Sequence, residues 1–198
     1  MFIDYLTLIM INMVAGTVIL AYYIWKGIDE TDQRPYAAAF GVVGLVGVIT
    51  GLVLSFTWPL PGRYNVGYGD ASTLFGTVFL GTALALSQGW DLVPMSIYAF
   101  FAGVDAVIVG IRIWMLNLGQ EPLVAAIGFI LSGLGGVFAM PFLIYFKNNK
   151  LARYAAIAVL LLAAAIWAVT FYESLWAHML SFAKWLPPTM PPAPATPK

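Results

Sequence analysis

Six stretches of this chain are each long and apolar enough to cross a lipid bilayer, and no soluble fold accommodates six of them in 198 residues. A membrane span needs about 20 consecutive, mostly apolar residues. The stretches run approximately over residues 4–25, 36–58, 72–87, 94–115, 122–146 and 154–176. Between them lie short breaks: KGIDETDQRP, WPLPGRYNVGYGDA, QGWD, NLGQE and KNNKLAR. Charged residues make up only 9% of the chain, against about 25% in soluble domains. The runs are continuous and lack the short alternating pattern of barrel strands, the other way to satisfy a backbone in lipid. The expected fold is all-α, a six-transmembrane-helix bundle over residues 1–176. An interfacial segment and a proline-rich, disordered tail would follow over 177–198.

Composition removes several functions. The net charge is zero, so no surface is suited to nucleic acid. There is no cysteine, and His178 is the single histidine. Thiolate and histidine-pair metal sites are therefore not expected, and neither is a cofactor. No GxxxxGK, GxSxG or HExxH stretch occurs, so these enzyme classes lack their starting motif. The loops leave no room for an extramembrane catalytic domain, and no catalytic residues are assigned. The chain starts without a basic region before its first apolar stretch, which reads as a retained span and not as a signal peptide.

Two ionisable groups interrupt the fourth stretch. Asp105 falls near its middle and Arg112 near its end. Seven residues apart, they share a helix face at a separation of about 10 Å along the axis. Acids at bilayer depth face a bundle interior or a water-filled path and mark solute or proton routes. The same placement serves an acid that only joins two helices. Asn12 in the first stretch has the same two readings, an interhelical bond or a path-lining group. Asp105, Asn12 and Arg112 are the candidate residues of a solute path. Gly41, Gly44, Gly47 and Gly51 form a stripe of small residues on the second stretch, and Ser132 and Gly136 form one on the fifth. Such stripes let helix backbones approach closely in a membrane. Trp25, Trp58, Trp90, Trp114, Trp176 and Trp185 fall at stretch ends, as an aromatic belt requires. Lys26, Arg34, Lys147, Lys150 and Arg153 gather in the loops of one side. The positive-inside rule places that side in the cytoplasm and both termini outside.

The segments DYLTLIMINMVAG, FTWPLPGRYN, STLFGTVFLGTALALSQGWDLVPMSIYAFFAG and IGFILSGLGGVFAMPFLIYF resemble a prokaryotic membrane family catalogued as domain of unknown function 981. That resemblance spans nearly the whole chain and implies a six-helix bundle, with no assigned activity; the expected location is the cytoplasmic membrane of a prokaryote. LFG at Leu74 to Gly76, GWDLVPMSIYAFFA at Gly89 to Ala102, and Asn12 also resemble the urea channel and amide transporter family. This second resemblance implies a homohexamer with one pore per protomer. The chain departs from that family's aromatic constriction at FLGT, residues 79–82, and has Pro141 where that family places a glutamate. Three functions follow as expectations. The first is a channel or facilitator for a small solute in a homo-oligomer. The others are a proton-coupled transporter of a small weak acid and a non-transporting accessory subunit of a larger membrane complex. The lipid bilayer is the surrounding partner in each.

Overall fold

The computed structural model describes residues 5–181; Asp4, Trp185, Lys184 and the proline-rich segment lie outside the described residues. The described residues are helical, with no strand among them. The six principal helices are α1 (Tyr5–Tyr22), α2 (Ala37–Thr57), α3 (Ala71–Gln88), α4 (Val93–Met115), α5 (Pro122–Val137) and α6 (Lys150–Ser181). Several are longer than the apolar stretches suggest. A π-helical turn, Tyr23–Gly27, prolongs α1, and helical turns from Gly62 through Asp70 lead without a break into α3. The α6 helix runs through Ser181, so residues 177–181 continue it. By length and composition these segments make five spans, and a sixth if α5 and the bent helical turns after it count as one. The protein is thus a multi-pass membrane protein.

Local chemistry sets the ends. Gly89 closes α3 in the left-handed conformation, φ +68°, and Trp90 N–H donates to the Ala85 carbonyl at 2.8 Å, a Schellman ending. Pro94 and Pro122 open α4 and α5, where a missing N–H costs nothing. The Asp91 carboxylate accepts the Val93 N–H at 3.0 Å. The fifth stretch is not straight. It bends by 43° between Val137 and Ala139. Pro141 supplies the cause, since it has no N–H to give to the carbonyl four residues earlier, at Val137.

Each helix packs against the next in chain order, and α6 closes back on α1, so the six form a ring. Two pairs are tight. A Cβ on Gly44 would sit 2.5 Å from the Leu80 nitrogen, and one on Gly47 would sit 2.9 Å from the Gly76 Cα. Here α2 and α3 touch backbone to backbone. A Cβ on Gly136 would sit 2.5 Å from the Ala99 carbonyl oxygen, and Gly133 meets Gly103 in the same way, joining α5 to α4. Gly51 packs on Thr73, whereas Gly41 meets Ala83 at an ordinary 3.7 Å. The other joints use side chains. Asn12 Nδ2 donates to the Val43 carbonyl at 3.0 Å between α1 and α2. Trp167 Nε1 donates to Ser132 Oγ at 3.0 Å between α6 and α5.

At the basic end of the ring, Arg153 at the start of α6 pairs with Asp29 in the loop after α1. That pair puts the two Lys- and Arg-rich loops side by side. At the opposite end, the fully buried Asn65 folds the Pro-rich loop back on itself. Its Oδ1 accepts the Leu60 N–H at 3.0 Å, and its Nδ2 donates to the Leu60 carbonyl.

Gly136→Ala is expected to force α5 away from α4 and cost about 1–3 kcal/mol, read as a lower midpoint of thermal unfolding in detergent. Asn65→Ala strips the half-buried Leu60 N–H and carbonyl of their partner and is expected to cost about 1–3 kcal/mol in all. Protease cleavage of the 58–65 loop would report it. Arg153 holds the Asp29 carboxyl below the usual carboxylate range, mainly through their hydrogen bonds. A depressed acid contributes stability above its unfolded value and loses it as pH falls through its folded value. Thermal midpoints of wild type and Asp29→Asn are therefore expected to differ at neutral pH and to converge in the acid range.

Candidate functional site

The ring encloses a cavity of about 480 Å³. All six helices line it. It begins beside Tyr68, Phe129 and Trp167 in the middle of the ring and reaches Ile28 and Ala152 at the basic end. The opposite end is filled by a packed core that includes Met10, Leu54, Ile113 and Ala125. Three edge-on aromatics form the floor between the two regions. Tyr68 and Phe129 have ring centroids 5.2 Å apart, and Phe129 and Trp167 are 5.1 Å apart. On the α3 side the Phe75 and Phe79 rings lie 4.3 Å apart, tilted by 33°. The small residues that make the tight helix pairs, Gly103, Gly133 and Gly136, also face the cavity.

Among the described residues, no charged side chain lines it. The polar lining consists of hydroxyls, two of them phenolic, and one indole N–H. Most of these donors are spent inside the protein. Thr17 donates to the Met13 carbonyl at 2.8 Å, Ser72 to Gly47 at 3.0 Å, and Ser132 to Gly128 at 2.8 Å.

The three residues expected on a path fall in three different places. Asn12 is buried in the joint between α1 and α2 and does not line the cavity. Arg112 is exposed near the end of α4, on the far side from the basic loops. Asp105 sits one residue from the lining Ala106 and three from the lining Ala102, beside the cavity wall and outside its lining. Its Oδ2 is buried and meets no hydrogen-bond donor, and it does not pair with Arg112. Asp70 does not cap α3; its Oδ1 accepts from the Ser55 hydroxyl at 3.0 Å.

Ser132 packs less than it lines, because its Oγ takes the Trp167 indole N–H at the cavity floor. Trp167 is the residue that sequence reasoning passed over. Trp25, Trp58, Trp90, Trp114 and Trp176 are exposed at span ends, whereas Trp167 is 1% exposed in the middle of α6. Its position inside a stretch, and not at an end, is the signal that separates it from the belt.

An orphaned buried acceptor costs about 1–3 kcal/mol. Asp105→Leu, which removes that acceptor, is therefore expected to leave the thermal midpoint unchanged or raise it. A marked fall would show that the carboxyl has a structural partner.

The crystal structure of the urea channel from the human gastric pathogen Helicobacter pylori has a similar fold. The TM-score is 0.63 over 91% of this chain and 99% of that chain, at 19% identity. The cryo-EM structure of the Helicobacter pylori urea channel in the closed state gives 0.61 over 91% and 100%, at 20% identity. At such identities the likeness establishes the fold, an all-α membrane bundle. No curated protein matches the chain by sequence. The model of one family, described as Protein of unknown function (DUF981), matches residues 1–181, and the chain belongs to that family.

Proposed function

We propose that the protein is a channel or facilitator for a small uncharged solute, with the path inside each protomer of a homo-oligomer. The observation that carries this reading is the closed ring of six helices around a cavity with no charged lining. A binding pocket falls in the range of about 300–1,000 Å³, and this cavity is of that size. An ion entering an apolar space loses its hydration and gains no partner, so the wall selects against charge. The fold shared with the urea channel supports a path of this kind. Asp105 flanks the path beside Ala102 and Ala106, Arg112 stands beyond its floor toward the Pro-rich loop, and Asn12 holds α1 in the wall. Lys26, Arg34, Lys147, Lys150 and Arg153 gather at one end, which supports placing that end in the cytoplasm and the protein in the cytoplasmic membrane.

The unpartnered Asp105 oxygen favours a second reading, in which this carboxyl exchanges a proton while a weak acid crosses in its neutral form. Accumulation of acetate against its gradient under an imposed pH difference would distinguish that transporter from a channel.

The test is light-scattering swelling of proteoliposomes with urea, short amides, glycerol and acetate over a pH series. Wild type is expected to pass at least one solute above the rate of empty vesicles. Ala102→Phe, which fills the path, is expected to return that rate to background, and Asp105→Asn to alter its pH dependence. Well-folded wild type that passes none of them would sink the channel reading and leave the accessory-subunit one.

A further inference from the structure

The cavity wall is poor in the groups that a strongly hydrated solute needs. Thr17, Ser72, Ser96 and Ser132 each donate their hydroxyl proton to a backbone carbonyl. Tyr23 donates to Gln33 Oε1 at 2.6 Å, and the Trp167 N–H is taken by Ser132. A solute carbonyl in this space is left with the Tyr68 and Thr82 hydroxyls as donors, and an unpaired buried carbonyl is costly. What the hydroxyls keep is acceptor capacity, since each oxygen has two lone pairs. The wall therefore suits an alkyl body with a single hydrogen-bond donor.

The cavity also meets the outside within bilayer depth. Phe138 and Phe146, on the bent segment after α5, line it and are 58% and 48% exposed. The start of α6 lines it with Ala152, Ala155 and Ala156, and Val159 and Leu160 follow one turn on. Phe138 lies 16 residues beyond Pro122, about 24 Å along a helix, inside a hydrocarbon core of about 30 Å. Had Pro141 not bent this segment, it would continue along the line of α5. The bent segment still touches α6, with Phe142 packed on the Ile24 and Leu160 cluster, so a side opening would lie beside the exposed Phe138 and Phe146.

We infer that the cavity takes a lipophilic, uncharged, single-chain molecule of the long-chain alcohol type, which enters from the bilayer through this side opening. The chain would lie along the apolar wall, and its hydroxyl would donate to a lone pair of Thr17 or Ser96. This rests on the reading of the cavity as the solute path and names the class of solute that it favours. Within the flux series the same wall ranks the less polar amides above urea and glycerol.

Trp167, buried from lipid and lining the cavity, provides the probe. Bromododecanol is added to protein in phosphatidylcholine vesicles, and the emission of Trp167 is taken as the difference between wild type and Trp167→Phe. Contact with bromine quenches indole emission, so the Trp167 component is expected to be lost along with that of the exposed belt tryptophans. Ala156→Phe, which narrows the opening, is expected to restore the Trp167 component alone. An unquenched Trp167 beside a quenched belt would overturn the inference, as would quenching that Ala156→Phe leaves intact. A readout without the Trp167 substitution is the thermal midpoint. Dodecanol is expected to raise it for wild type and not for Ala156→Phe, and no rise overturns the inference. Solute flux in the same vesicles separates the two readings. Quenching without flux keeps the binding site and removes the channel, and flux without quenching does the reverse.

Discussion

The architecture depends on backbone-to-backbone contact within two helix pairs, α2 with α3 and α4 with α5. In lipid no hydrophobic force drives helices together, so packing must do so. Gly44, Gly47 and Gly76 on one side, and Gly103, Gly133 and Gly136 on the other, remove the side chains that would hold the axes apart. Close approach brings the Ser72 hydroxyl within 3.0 Å of the Gly47 carbonyl and converts a nonspecific contact into a registered one. The two pairs meet where α3 packs on α4, and α1 with α6 makes the remaining side of the ring. The α1 and α6 helices join them through polar contacts, Asn12 to Val43 and Trp167 to Ser132.

A cavity follows from that alternation of tight and loose joints. Six equally tight joints would leave side chains to fill the centre. Here the glycines spend their close approach on their neighbours, and the same small residues leave the centre underfilled. The Tyr68, Phe129 and Trp167 rings then divide the interior into a packed half and an open half. Pro141 adds the remaining asymmetry by turning the end of the fifth span aside.

The wall chemistry belongs to this chain and not to its fold. A ring of this type is shared with the urea channel at 19% identity, which leaves the identity of most lining residues free. In this chain the Thr17, Ser72, Ser96 and Ser132 hydroxyls are turned to backbone carbonyls, and Asp105 stands behind the wall. Such a wall makes charge and dense hydrogen bonding expensive, and lipophilic bodies cheap.

Much of the bundle was legible from one dimension. Apolar run length is set by bilayer thickness, and the glycine spacing is set by the helical repeat, so both can be read without coordinates. The tryptophans at span ends were legible for the same reason. What the sequence left open was direction around each helix axis. Asp105 reads as an interior acid, yet only the crossing of α4 against α5 through Gly103 turns it beside the wall and not into it. Asn12 reads equally as path or joint until Val43 is brought opposite it. Asn65, inside a loop that reads as irregular, becomes the buried staple of that loop because Leu60 folds back over it. The sequence by itself determined the membrane, the helices and the small-residue stripes, because each is a local property of the chain against a solvent of known thickness. Only the tertiary structure decided which side chains face the cavity, because that depends on rotations and one bend summed over all six helices.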